Sequence, residues 1–384
     1  MKSVQRPASA ASLRLLTIAA FTAALPLVPT AHAAAFTWDG GGADGKISTA
    51  ANWNPDTAPT ATGNNLIFAG TTNLTVNNDV ITSLGSNSFN FAAGAGSFDI
   101  GGNAFTIGNG AANDTIITKV STNNQTISAN LTLAGGGRDR NIVMTGGGTL
   151  TLSGNVNFSN DWLFPTTTAG TIVLSGNNSG DGKGAAVTSG TNTMRAMMRN
   201  NVAGTQLTLG SNTALGNSGN GSISGGNANF KGFIANQSMK LNTTVNVDLS
   251  GSSIAINTSG AVDFNGTSNL TIGNIINVAA NRDFNVSSTG TVTVSSGLVL
   301  SNDQTGRQLY VNLSGTGGMV VNGSLYDTFH QSGLTTGTST LRKAGTGTMT
   351  LNGNSSGYVG LITVEGGTMK LGHTNALGTT GTGN

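Results

Sequence analysis

The feature that most constrains this chain is a short alternation of apolar and polar side chains that recurs at a nearly fixed spacing. Clear copies are Thr149-Leu-Thr-Leu152 and Thr291-Val-Thr-Val294. Alternation over four residues predicts a half-buried β-strand. Three such strands make a turn of about 22 residues, the size of one turn of a three-sided parallel β-helix, and about 16 turns fit into the chain. The other candidates, a sandwich and a barrel, are less favoured because a sandwich should have longer strands and more distinct hairpins. Consecutive runs end only six or eight residues apart, at Phe264, Ile272, Val278, Val286, Val294 and Leu300.

Composition excludes a mainly helical fold. Only 8% of the residues are charged, 58 are glycine, and Glu365 is the only glutamate. Helical proteins place Glu and Lys on their surfaces, whereas Thr, Asn, Ser and Gly suit strands and turns. Glycine at the corners of a solenoid supplies positive φ at little steric cost. We therefore predict an all-β fold, a parallel β-solenoid in which inward Leu, Ile, Val and Phe stack from turn to turn.

The segment 1–33 has the layout of a cleavable signal peptide. Three basic residues precede an apolar run, Leu15 to Val28, and the small-residue site Ala31-His32-Ala33 follows. The run is shorter than the roughly 20 residues that a membrane span needs, so we expect no membrane span after cleavage. Removing the three basic residues leaves 14 basic against 15 acidic ones. Nucleic-acid binding then has no electrostatic support, and we expect no nucleic-acid partner.

Three regions are predicted: a signal peptide (1–33), an N-terminal cap (34–65) and the β-solenoid (66–384). The cap contains Trp38 and Trp53, two of the three tryptophans. Cysteine is absent, so the sequence provides neither disulfides nor thiol ligands for a metal.

Sequence-similar segments recur along the chain and resemble a known family. Met144-Thr-Gly-Gly-Gly-Thr-Leu-Thr-Leu-Ser-Gly-Asn155 is similar to Lys343-Ala-Gly-Thr-Gly-Thr-Met-Thr-Leu-Asn-Gly-Asn354, and Leu209-Gly-Ser-Asn-Thr-Ala-Leu-Gly216 to Leu371-Gly-His-Thr-Asn-Ala-Leu-Gly378. The stretch at about 341–378 resembles the autotransporter-associated β-strand repeat. The resemblance implies a right-handed parallel β-helix, exported as a passenger segment, in a secreted protein or at the cell surface or outer membrane of a Gram-negative-type bacterium. Because the sequence stops in a turn where another coil should begin, we expect a fragment of a longer protein.

Three motifs match catalytic or binding patterns in residue type and spacing but lack the structural context that those patterns require. Gly40-x-Gly42-x-x-Gly45 matches the dinucleotide fingerprint but lacks a βαβ context. Gly353-Asn-Ser355-Ser-Gly357 matches the nucleophile elbow but lies in a repeat turn with no following helix. Gly180-Asp-Gly182 is a single copy of a motif that binds calcium only when stacked. We therefore predict no catalytic, cofactor-binding or metal-binding residues and no cofactor.

Two further segments depart from the strand pattern. Arg138-Asp-Arg140 is dense in charge for this chain, and we expect a solvated corner with a weak ion pair. Met194-Arg-Ala-Met-Met-Arg199 tolerates a helix, and we expect a loop insertion or a lateral turn there.

The sequence favours a non-enzymatic exported rod, a structural or adhesin-like passenger. Its polar faces are expected to bind glycans or neighbouring cell surfaces, and its unpaired strand edges to promote self-association through the solenoid ends. The alternative is a polysaccharide-active β-helix enzyme, a lyase or hydrolase. A hydrolase needs two carboxylates about 5–10 Å apart, whereas the acidic residues here are scattered singly. The best local cluster is Tyr326-Asp327-Thr-Phe329-His330, for which we expect a core or loop role.

Overall fold

A computed structural model describes residues 34–378, with gaps at 110, 112, 137–138, 160–161, 168, 181–186, 190–191, 217–228, 257–259, 279 and 329–336. The predicted signal peptide, 1–33, lies outside the described residues.

The described chain contains 32 strands and one short 3-10 helix, Ala50–Asn52. The first sixteen strands are β1 (Ala34–Trp38), β2 (Trp53–Asn54), β3 (Thr62–Phe68), β4 (Thr75–Asn78), β5 (Ser83–Phe91), β6 (Asp99–Gly102), β7 (Phe105–Ile107), β8 (Asp114–Lys119), β9 (Gln125–Ile127), β10 (Leu131–Leu133), β11 (Asp139–Met144), β12 (Thr149–Leu152), β13 (Val156–Asn157), β14 (Trp162–Thr167), β15 (Thr171–Leu174) and β16 (Val187–Ser189). The other sixteen are β17 (Asn192–Asn200), β18 (Thr205–Leu209), β19 (Asn229–Ala235), β20 (Met239–Thr243), β21 (Val247–Ile256), β22 (Ala261–Phe264), β23 (Leu270–Asn277), β24 (Arg282–Val286), β25 (Val292–Val299), β26 (Gln308–Leu313), β27 (Met319–Val321), β28 (Ser324–Tyr326), β29 (Thr340–Ala344), β30 (Thr348–Leu351), β31 (Leu361–Val364) and β32 (Thr368–Leu371).

These strands form a parallel β-solenoid. One sheet has 12 strands in strict chain order, from β4 to β31, and each of its pairings is parallel. Every turn contributes one strand to this sheet. The basic turn has the predicted length, since Thr149 pairs with Thr171. The estimate of about 16 turns is wrong, because insertions lengthen several turns: the next partner of Thr171 in the sheet is Gln206.

The second sheet has 20 strands and includes two sides of the solenoid. Its long strands bend. β23 pairs with β25 over Leu270–Ile272 and again over Asn274–Ile276, with a register shift between the two stretches. β25 in turn pairs with β27 along its first half and with β28 along its second half. A turn in this part of the chain therefore contributes to three parallel ladders.

The core consists of inward side chains stacked in columns. Along the 12-stranded sheet the partners in register include Ile100, Ile127, Leu152, Leu174 and Leu209, each no more than 1% exposed. Burying a side chain of this size contributes roughly 1.5–3 kcal/mol. Because each residue packs on its equivalent one turn away, the core has no centre and continues along the stack.

Asparagine side chains at the corners accept hydrogen bonds from backbone N–H groups of the next turn. The side-chain oxygen of Asn130 accepts the N–H of Asn155, and that of Asn155 accepts the N–H of Asn177, each at 2.9 Å. The same relay links Asn246 to Asn269 at 3.0 Å. A backbone donor that faces a bend has no strand partner and would otherwise lack a hydrogen bond. The asparagines thus extend the ladders around the corners.

The N-terminal segment packs on the first turns through aromatic residues. β1 pairs with β2 in antiparallel and with β3 in parallel orientation. The rings of Trp38 and Trp53 are edge to face at 5.1 Å, and the indole of Trp53 donates to the carbonyl of Ile47 at 2.8 Å.

The expectation of a loop or lateral turn at 194–199 is wrong. These residues lie in β17, which pairs in parallel with β19 over seven residue pairs. Met, Ala and Arg tolerate helix, but neighbouring strands offer a ladder of hydrogen bonds, and this tertiary context overrides a weak local propensity.

Stacked glycines at one corner have no room for a side chain. A Cβ at Gly353 would lie 2.0 Å from the carbonyl oxygen of Gly323, and a Cβ at Gly323 would lie 1.9 Å from that of Ser296. We predict that Gly353→Ala lowers the free energy of unfolding by about 1–3 kcal/mol, the range for overpacking. Gly357→Ala is the matched control, because nothing lies within 4 Å of its Cβ position. Urea denaturation of both variants measures the difference, and equal midpoints would contradict the close stacking.

Candidate functional site

The strongest predicted cluster, Tyr326 to His330, is only partly described. Asp327 follows β28, and its carboxylate accepts the backbone N–H of Val359 at 2.9 Å. Its other oxygen is buried without a hydrogen-bond partner. Burial raises the pKa of Asp327, and the Val359 hydrogen bond offsets only part of that effect. Phe329 and His330 lie outside the described residues.

A second carboxylate lies beside this corner but is committed to an ion pair. Asp303 binds Arg307 at 2.7 Å, and the hydroxyl of Thr328 donates to the backbone carbonyl of Asp303 at 2.7 Å. Partial burial opposes the charge of Asp303, but hydrogen bonds from Arg307, Ser301 and the backbone of Thr305 outweigh it and lower its pKa. Asp303 is thus held ionised, which suits a structural ion pair better than a proton donor.

The serine of the elbow-like motif is a buried turn residue. Ser355 is 2% exposed, and its hydroxyl oxygen accepts the N–H of Leu325 at 3.0 Å. Its own N–H donates to the carbonyl of Asn375, also at 3.0 Å. This hydroxyl links two turns, and no histidine approaches it in the contacts of the described residues.

The glycine-rich segment Gly40–Gly45, which matches the dinucleotide fingerprint, is covered by the next turn. The Asn73 side chain donates to the carbonyls of Gly40 and Gly42 at 2.9 and 2.7 Å. A Cβ at Gly45 would lie 2.1 Å from the carbonyl oxygen of Thr75. A phosphate-binding loop needs free backbone N–H groups at the start of a helix; here a 3-10 turn of three residues follows. Of the calcium-like motif, Asp181 and Gly182 lie outside the described residues.

The expectation of a solvated corner at 138–140 is wrong for Arg140. This side chain is fully buried and pairs with Asp114 at 3.3 Å. It also donates to the carbonyl of Ala111 at 3.0 Å. A buried pair of this kind is costly to break, because removing one partner leaves an uncompensated charge. The pair bridges β8 and β11 on adjacent turns. Sequence reasoning missed it because the partners lie in different turns and are far apart in the chain.

Two buried lysines act as staples between glycine-rich turns, a role that the sequence did not reveal. The ammonium of Lys343 donates to the carbonyls of Gly345, Gly347 and Gly366 at 2.9, 2.6 and 2.6 Å. Gly366 belongs to the following turn. Lys119 donates in the same way to Ser121 in its own turn, at 2.7 Å, and to the next turn. Both lysines are 0% exposed, and burial lowers the pKa of each.

The described ranges contain a cavity but neither a metal-binding cluster nor a membrane-spanning helix. Within them, no group of three or more His, Cys, Asp or Glu side chains could hold a metal ion. Among the same residues, no helix has the length and apolar character needed to cross a membrane. A polar cavity of about 240 Å³ lies next to the bend in β21 and is lined by Asn212, Gly216, Asp248, Leu249, Ser250, Gly251 and Ser252.

Comparison with known families identifies the repeats. Two segments, 142–163 and 341–371, match the family described as passenger-associated-transport-repeat. The chain carries this repeat. The match confirms the predicted resemblance to autotransporter-associated β-strand repeat proteins. No curated protein and no solved structure is detectably similar to the chain.

In both matched segments a buried lysine is hydrogen-bonded to a glycine-rich turn. In the second repeat, Lys343 lies near the end of β29, before the turn that leads to β30. Its ammonium group also binds a carbonyl in the turn between β31 and β32. In the first, Met144 occupies the equivalent position, and Lys119 pairs with it in register from the preceding turn. The lysine of that neighbouring turn binds the carbonyl of Gly147 within the first repeat. Both repeats therefore contain a glycine turn that accepts hydrogen bonds from a buried ammonium group.

We predict that Lys343→Met destabilises the C-terminal turns by about 1–3 kcal/mol, because three carbonyls lose a charged donor while the apolar stem is retained. Lys370→Met is the control, since Lys370 is exposed on β32. Thermal unfolding followed by circular dichroism compares the two. If Lys343→Met melts at the temperature of Lys370→Met, the staple has no structural role.

The raised pKa of Asp327 predicts a pH effect of defined sign. A carboxyl whose pKa is higher in the folded than in the unfolded chain favours folding below the unfolded value, near 3.9. That contribution is lost as pH rises through the folded pKa. Asp327→Asn should therefore gain stability relative to the wild type when pH is raised from about 3.5 to neutrality. Asp303→Asn should lose stability over the same interval. Urea midpoints that change in parallel for both variants would contradict these assignments.

Proposed function

We propose that the chain is an exported, non-enzymatic β-solenoid that acts as a structural or adhesin-like passenger. The observation that carries this proposal is the pair of passenger-associated repeats within a continuous parallel stack. The proposal includes right-handed winding, a signal peptide over 1–33, and a location outside the cell or at the cell surface or outer membrane of a Gram-negative-type bacterium.

The outward faces support a binding role of low specificity. Thr106 is in register with Thr132, and Thr271 with Thr293, so hydroxyl groups align from turn to turn. On the 12-stranded sheet, the guanidinium of Arg342 lies 5.1 Å from the ring centre of Tyr310. Rows of hydroxyl, amide and aromatic groups suit glycans, through many weak hydrogen bonds and ring contacts. We therefore propose glycans or neighbouring cell surfaces as partners.

An enzymatic role has less support than a binding role. Asp303 is tied to Arg307, and Asp327 has one oxygen hydrogen-bonded to Val359. A glycoside hydrolase needs one carboxyl as acid and another as base or nucleophile. Asp327 is half-buried with a raised pKa, which is the one observation that favours this second candidate.

Export tests the proposal directly. We predict that the chain expressed in a Gram-negative host leaves the cytoplasm and begins at Ala34, because the small-residue site ends at Ala33. Cells that display it should adhere to glycan-coated surfaces more strongly than cells expressing the chain without 1–33. Mass spectrometry of the mature N-terminus and an adherence assay measure both. A cytoplasmic chain that retains Met1 would refute export.

The enzymatic candidate has its own test. The purified chain is assayed for polysaccharide hydrolysis and β-elimination alongside Asp327→Ala and His330→Ala. We expect no turnover by any of the three. Reproducible turnover that is lost in both variants would replace the passenger role with a catalytic one.

A further inference from the structure

A row of exposed asparagine side chains follows one corner of the solenoid. Asn130 directly precedes β10 and Asn155 directly precedes β13, and these two strands pair in parallel. Asn177 takes the same place one turn later, where Ser179 bridges Asn157. All three asparagines of the row are exposed. Because neighbouring strands are about 4.8 Å apart, the row presents one amide group per turn at that interval.

Hydrogen bonds fix the orientation of these amide groups. The Oδ1 atoms of Asn130 and Asn155 each accept the N–H of the next asparagine at 2.9 Å, and Oδ1 of Asn177 accepts the hydroxyl of Thr213 at 2.7 Å. An amide is planar, so holding its oxygen also orients the two N–H donors of Nδ2. Among the described residues these Nδ2 atoms have no acceptor, and their donors therefore face solvent in a fixed direction.

The surface around the row is uncharged and formed by small side chains. Each turn of the row has the pattern Ser-x-Asn, with serines at Ser128, Ser153 and Ser175. The ranges 126–132, 151–157 and 173–179, which contain the outward positions on both sides of the row, have no charged and no aromatic residue. Asp99 lies one turn earlier and accepts the hydroxyl of Ser128. The row is therefore a neutral surface of hydrogen-bond donors.

This chemistry selects a neutral ligand that is rich in hydrogen-bond acceptors. A polyanion would need Lys or Arg along its path, and a protein partner would need aromatic or other large anchors; the row has neither. A polysaccharide of neutral sugars offers hydroxyl and ring oxygens on every residue. When its pyranose rings are linked through equatorial bonds, the polymer is extended, and each residue advances by a length close to the strand spacing. One sugar residue can then lie against each amide group.

We propose that Asn130, Asn155 and Asn177 bind a neutral, extended polysaccharide that runs along the stack from turn to turn. The inference rests on the proposed glycan partner and adds to it a binding surface, a direction and a class of glycan. Because the amides are held in place before binding, little conformational entropy is lost when they engage the ligand. The relay recurs where Asn246 directly precedes β21 and its oxygen accepts the N–H of Asn269 at 3.0 Å, so a longer polymer meets a further donor along the same corner.

Binding isotherms of the full chain on amorphous cellulose and on immobilised polygalacturonate test the proposal. The wild type should bind cellulose more tightly than the polyanion, and its affinity for cellulose should not change between low and high salt, because no charges are paired. Asn155→Asp should weaken binding to cellulose about threefold to tenfold. One carboxylate oxygen still accepts the N–H of Asn177, whereas the other replaces the outward donor with an acceptor.

Asn281→Asp is the matched control. Asn281 is also exposed, and its oxygen accepts the N–H of Gln308 at 2.8 Å, but it lies at another corner, directly before β24. This variant makes the same change in charge and keeps the same kind of hydrogen bond, so it should bind cellulose as the wild type does. Asn130→Asp, which keeps the acceptor for Asn155, should weaken binding as Asn155→Asp does. Melting curves followed by circular dichroism check that both corner variants fold like the control.

The inference is overturned if the wild type does not bind cellulose, if it prefers polygalacturonate, or if Asn130→Asp and Asn155→Asp bind cellulose as tightly as Asn281→Asp. Adherence of cells that display the chain separates this result from the proposed function. When adherence to glycan-coated surfaces persists in both corner variants, the glycan binds elsewhere and only the inference fails. When wild-type cells do not adhere either, the proposed glycan-binding role fails as well.

Discussion

Stacking of each turn on its neighbour is the constraint on which the rest of this structure depends. A single turn of about 22 residues cannot enclose a core, because each of its strands has only a few inward side chains. Ile127 and Leu152 are buried because each lies in register with an apolar partner one turn away. A shift of register by one residue would turn every inward side chain outward. The apolar columns and the parallel ladders therefore specify each other.

At the corners, side chains provide hydrogen bonds for polar groups that have no partner in the strand ladders. Lys343 binds three carbonyls in two adjacent glycine turns, and Arg140 reaches across turns to Asp114. Glycines such as Gly353 let backbones approach too closely for any side chain. In a chain with so few charges, these buried cations serve cohesion between turns. Lys119 and Lys343 thereby give the glycine turns of both matched segments a buried hydrogen-bond donor.

Periodic features of the fold can be predicted from the sequence, whereas contacts between residues far apart in the chain cannot. Alternation in segments such as 149–152 was sufficient for strands, turn length and inward columns, because these depend on local order. The strand at 194–199 was missed because its ladder partners are far away in the chain, and they outweigh its helix-tolerant composition. Composition predicts an exposed Arg140, because charge alone does not reveal that its partner, Asp114, lies one turn earlier. Insertions changed the number of turns because periodicity cannot predict where turns lengthen.

Spin-label distances measure the stack most directly, and the absence of cysteine from the sequence allows specific labelling. Labels at Thr151 on β12 and Asn285 on β24 are five strands apart in the 12-stranded sheet, and labels at Thr151 and Thr363 on β31 are eight apart. With about 4.8 Å between neighbouring strands, the two distances should be about 24 and 38 Å. Two similar distances, or a longer distance for the nearer pair, would contradict a single continuous parallel stack.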